Sequence, residues 1–199
     1  MKTYPPSGIT LGQFTAAFVP FGLALSIALL WPETTLALDL NRTKATIWVA
    51  SILLIPTLTL YPFEAASMRV SNLAHLFWTF AYLAFLVHAY WAVFVVFDGI
   101  ADTFKQMGTK IAGMNFLLLI WWGIEVLLLW TVREVTHRLA VFQLATRVFV
   151  FLVFALTLLV LRGSGPVRAL GIVFVAAVLG SLAVRFLARD RGGAQLKAA

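Results

Sequence analysis

The chain has 199 residues, of which 62% are hydrophobic and 12% charged, with a mean hydropathy of +0.96. Soluble domains carry about a quarter charged residues, so this composition excludes a water-solvated fold and predicts an all-α, polytopic helix bundle whose outer surface is lipid. The lack of cysteine excludes disulfides, thiolate metal sites, iron–sulfur clusters and a cysteine nucleophile. The net charge of +7 is spread over several short loops, which predicts contact with anionic headgroups and no nucleic-acid partner.

Six apolar runs are long enough to cross a bilayer. The first, residues 12–31, follows a single Lys2, and no Ala-x-Ala site comes after it, so an uncleaved helix is expected, kinked at Pro20. The second, 45–61, contains Pro56 and stops at Pro62. The third, 73–97, runs without a formal charge. The segment 98–113 is the longest loop and is expected to form a short interfacial helix or a partner contact. The fourth run is 114–132. The stretch 133–147, with His137, Arg138 and Gln143 among apolar residues, reads as an amphipathic surface helix leading into the fifth run, 139–161. The Gly-Ser-Gly-Pro sequence at 163–166 then breaks the chain before the sixth run, 169–187. Residues 188–199 form a basic tail, expected to be mobile at its end. No polar segment is long enough for a second core, so residues 1–199 read as a single transmembrane domain.

An even number of spans puts both termini on one side. That side would carry Lys2, Arg69, Arg133, Arg138, Arg147, Arg185, Arg189, Arg191 and Lys197, against Arg42, Lys44, Lys105, Lys110, Arg162 and Arg168 opposite. Nine basic residues against six favour cytoplasmic termini, in a membrane of the bacterial inner type.

Charge in hydrocarbon is expensive, so polar groups inside spans point toward function. Glu125 and Arg147 each fall roughly 10 Å from the same end of consecutive antiparallel helices, at 1.5 Å per residue. Equal depth predicts an ion pair, to be read as a clasp between helices, as part of a proton or solute pathway, or as an arginine snorkelling to the interface. On the third span, a 100° wheel puts His88 on a stripe with Ala74, Ala81 and Ala92, facing protein. Another face carries His75, Thr79 and Tyr82, whose inner end is expected to approach Glu125.

His75 and His88, thirteen residues apart, have the spacing of haem ligands in b-type membrane cytochromes, but the only further histidine is His137. One haem held by His75 and His137 is the most the chain would supply, and a hydrogen-bonded structural His88 is the simpler reading. No metal-ligand spacing accompanies the histidines. No cofactor is expected, with haem or a bound lipid as the exceptions. Trp78, Trp121 and Trp122 read as packing groups, Trp31, Trp48, Trp91 and Trp130 as interfacial anchors. Asn41-Arg42-Thr43 matches a short glycosylation acceptor, and no nucleophile elbow, Walker loop or dinucleotide fingerprint is present.

These features leave three functional readings. The leading one is a non-catalytic accessory or assembly subunit of a larger membrane complex, with other membrane subunits as partners. The second is a small transporter or proton-conducting protein using Glu125 and Arg147, and the third a one-haem b-type cytochrome.

Overall fold

The computed structural model describes residues 6, 8–30, 38–161 and 165–197, with side chains as far as residue 188. Its helices are α1 (Leu11–Leu30), α2 (Leu38–Leu60), α3 (Met68–Tyr90), α4 (Ile100–Met107), α5 (Thr109–Thr131), α6 (His137–Leu156) and α7 (Gly165–Lys197). A 3-10 turn, Tyr61–Phe63, extends α2, and π-helical segments Trp91–Val96 and Thr157–Leu161 extend α3 and α6. Among the described residues, six helices are long and apolar enough to span a membrane: α1, α2, α3, α5, α6 and α7 with their extensions. The protein is an all-α integral membrane bundle.

Local chemistry starts the helices where the chain turns. Thr10 and Gln13 form a reciprocal capping box on α1: each side chain accepts from the other residue's backbone N–H, at 3.0 and 3.2 Å. Ser67 caps α3 by accepting from Val70 N, and Thr136 caps α6 by accepting from Leu139 N. Pro20 and Pro56 lie inside α1 and α2, which continue through them. In lipid the backbone groups freed by a proline are re-satisfied by neighbours and by local adjustment of the helix.

The helices α2 and α3 form the centre of the bundle. Helix α1 packs against both, α5 packs on α3, and α6 lies between α5 and α7. The core is built from Leu53, Leu54, Trp78, Ala81, Ala84, Phe85, Leu118, Trp122, Val150, Phe154 and Phe174. Small residues on α3 allow close approach to α2, while Trp78 and Trp122, centroids 4.8 Å apart, fill the space toward α5. Polar ties cross the same contacts: Asn72 Nδ2 donates to Gln13 Oε1 at 3.4 Å, and Arg42 Nε donates to the Leu29 carbonyl at 3.1 Å.

Two segments differ from their sequence reading. The stretch 133–147 is no separate surface helix: α6 begins at His137 and runs unbroken into the membrane, with Gln143, Thr146 and Arg147 buried on its inner face. The polar residues that mimic an amphipathic surface pattern face other helices, which a single-helix wheel cannot distinguish from facing water. The basic tail continues α7, which is helical to Lys197. The Asn41-Arg42-Thr43 tripeptide lies within α2 with Thr43 buried. The 98–113 segment contains the short helix α4, which a turn at Gly108 (φ +78°) separates from α5. Trp31 and the Gly-Ser-Gly part of the 163–166 breaker fall largely outside the described residues, only Gly165 and Pro166 being included.

Candidate functional site

The 3-10 turn Tyr61–Phe63 and the turn before α3 lie at the same end of the bundle as the connection between α5 and α6. Pro62, in the first turn of the 3-10 segment, carries the fixed φ that suits such a position. Glu64 N donates to Tyr61 O at 3.2 Å and Ala66 N to Phe63 O at 2.8 Å, so the chain folds back tightly. That fold turns the Glu64 side chain inward, where it is 1% exposed, although Ala65, Ala66 and Ser67 beside it are exposed.

Inside this end, the Tyr61–Glu64 turn, α3 and α5 converge on Arg147 of α6. Its Nη1 donates to Glu125 Oε1 of α5 at 3.1 Å, and its Nη2 lies 3.7 Å from Glu64 Oε1. The guanidinium carbon is 4.3 Å from the Tyr61 ring centroid and 5.2 Å from that of Trp78, within cation–π range of both. The second Glu125 oxygen accepts a hydrogen bond from Trp78 Nε1 of α3. His75, one turn earlier on α3, places Nε2 3.5 Å from Glu64 Oε1. The four charged or titratable side chains are between 0 and 3% exposed.

The two carboxylates differ in their surroundings. Glu125 is held by two donors, one of them charged, which is an arrangement that suits an ionised carboxylate. Among the described residues, Glu64 lies near the Arg147 cation but accepts no hydrogen bond on either oxygen, and His75 Nδ1 also has no hydrogen-bond partner. Burial pushes the Glu64 carboxyl up to about 7, against the pull of the Arg147 guanidinium and with a further push from the Glu125 charge. With both carboxylates ionised and His75 neutral, the cluster would carry a net charge of −1 in a sealed, low-dielectric site.

The other sequence candidates lie elsewhere. Thr79 donates to the His75 carbonyl at 2.8 Å and accepts from Trp130 Nε1 at 2.9 Å, so it ties α3 to α5 without touching Glu125. The hydrogen bond to Glu125 comes from the adjacent Trp78. His88, half-buried nearer the opposite end of α3, makes a 2.9 Å hydrogen bond between Nδ1 and the Thr43 carbonyl of α2. His137 is exposed at the first residue of α6, whereas His75 is sealed beside Glu64. Among the described residues, no three His, Asp or Glu side chains are grouped to hold a metal ion.

Sequence reasoning missed Glu64 and assigned Trp78 only to packing. An acid next to Pro62, between two spans, has the pattern of a solvated turn. Its one distinguishing signal is the Tyr-Pro-Phe-Glu context, an acid in a short aromatic turn. No protein-family model, curated protein or solved structure matches the chain.

Proposed function

We propose that this protein is a non-catalytic subunit of a larger membrane complex, in which the Arg147 cluster fastens the bundle together. The observation that carries this reading is the closure of the cluster. Glu64, His75, Glu125 and Arg147 face one another, are 0 to 3% exposed, and leave no charged group presented to a substrate or a passing solute. A conduit needs water at its ionisable groups. A surface hollow instead follows α1 along Leu11, Gly12, Thr15, Ala16, Val19 and Pro20. Small side chains of this kind suit the close approach of another transmembrane helix.

The test is purification of tagged protein from its native membrane in mild detergent, with mass and visible absorption recorded on one sample. A partner retained stoichiometrically through a second chromatographic step, and reduced by Ala16→Leu, supports the subunit reading. A bare particle refutes it and turns attention to proton flux in vesicles, with Glu125→Gln as the control. A Soret band would instead establish a cytochrome.

A further inference from the structure

We propose that Glu64 and His75 form a proton-binding site at the turn end of the bundle, where one exchangeable proton sits on Glu64 Oε1 and is donated toward His75 Nε2. This goes beyond the subunit reading and holds whatever the partner is.

Three observations converge on it. The first is charge. Arg147 supplies one positive charge to two carboxylates, and a sealed site with an uncompensated charge is costly, so one proton brings the cluster to neutrality. The second is the division of donors. Glu125 already accepts from Arg147 Nη1 and Trp78 Nε1, which favours its ionised form, whereas neither Glu64 oxygen accepts a hydrogen bond. A proton on Glu64 converts one of those orphaned oxygens into a donor. Its nearest acceptor is His75 Nε2, 3.5 Å away, a gap that a small side-chain rotation closes to hydrogen-bond length. The third is position. Glu64 is immediately followed by the exposed residues Ala65, Ala66 and Ser67, so protons exchange with the adjoining aqueous face by opening of one turn, with no channel through the bundle.

Among the described residues, the titratable or charged groups facing Glu64 are Tyr61 from the 3-10 turn, His75 from α3, Glu125 from α5 and Arg147 from α6. The elevated titration of Glu64, near neutral, agrees with the geometry.

The experiment is an infrared titration of the purified full-length protein in detergent between about pH 5 and about pH 9, reading the carbonyl stretch of protonated carboxyl groups. The wild type is expected to lose one buried protonated carboxyl per chain around neutral pH. Glu64→Gln is expected to abolish that transition. Glu125→Gln removes the second negative charge and is expected to lower the midpoint by more than about one pH unit, because Arg147 then serves Glu64 alone. His75→Leu removes the acceptor and is expected to move the midpoint by about half a unit or more. The proposal is overturned if no buried carboxyl titrates in the wild type, if the transition survives in Glu64→Gln, or if neither Glu125→Gln nor His75→Leu moves it. Should Glu64→Gln fail to fold, the wild type and the other two variants decide the matter by the same criteria.

Discussion

Replacing Arg147 by methionine keeps much of the side-chain volume and removes the one cation of the cluster. Glu125 then keeps Trp78 as its donor but loses the 3.1 Å charged hydrogen bond, and Glu64 loses its only nearby positive charge. Both carboxylates are left inside a site that is at most 3% exposed. Breaking a buried ion pair from one side costs about 3–5 kcal/mol, because the surviving charge stays desolvated. For a chain of this size each kcal/mol moves Tm by about 2–4 °C, so Arg147→Met is expected to lower Tm by roughly 6–20 °C. Thiol-reactive dyes are silent on a protein without cysteine, so the assay is heating followed by size-exclusion chromatography, read on tryptophan fluorescence. The double variant Arg147→Met, Glu125→Gln removes a negative charge together with the positive one and is expected to regain at least half of the loss. A drop below about 3 °C in the single variant, or a coupling energy below about 0.5 kcal/mol in the cycle, would refute the idea that Arg147 is the fastener.

Other perturbations test separate parts of the structure. Trp78→Phe keeps the ring packing on Trp122 but deletes the donor to Glu125, and is expected to cost about 1.5–3 kcal/mol, the range for hydrogen bonds to charged groups. The same size-exclusion assay measures it. Gly171→Ala places a methyl group 2.9 Å from both Leu158 Cβ and Leu159 Cδ2, where α7 meets the π-helical end of α6, and is expected to destabilise by about 1–3 kcal/mol. An equal or higher Tm in that variant would mean that this contact relaxes freely. The pH dependence follows from Glu64. A carboxyl whose folded-state value is raised from 4.5 to about 7 adds stability that is fully present below about pH 4.5 and is lost as pH rises through about 7. Wild-type Tm is therefore expected to fall between about pH 5 and about pH 8, and Glu64→Gln to flatten that fall.

How much of this was legible in the sequence depends on how local the cause is. Span count and helix type follow from apolar run length, which is a local property, and the described residues contain six such helices. Depth counting along α5 and α6 put Glu125 and Arg147 at one level, and their side chains meet at 3.1 Å. Wheel geometry put His75 on an inward face of α3, but the azimuth of that face relative to α5 is a matter of packing. One residue of rotation decides that Trp78, and not Thr79, reaches Glu125. Glu64 was hidden for a different reason. Its burial depends on the chain folding back at Tyr61–Phe63 and on α3, α5 and α6 closing over it, none of which leaves a periodic trace. The same holds for Gln143 and Thr146, whose polar pattern on α6 suits an interface with headgroups as well as it suits one with protein.

The order of the cluster along the chain bears on how the protein is made. Glu64 and Glu125 belong to the second turn and the fourth span, and the arginine that faces them both arrives only with the fifth. During synthesis Glu125 therefore enters the membrane, and Glu64 reaches its edge, before their counter-ion, a state that favours protonation or retention near the headgroups. The arrival of Arg147 then completes this end of the bundle, so a nascent chain halted before residue 147 is expected to leave the turn around Glu64 more open to protease than the full chain does.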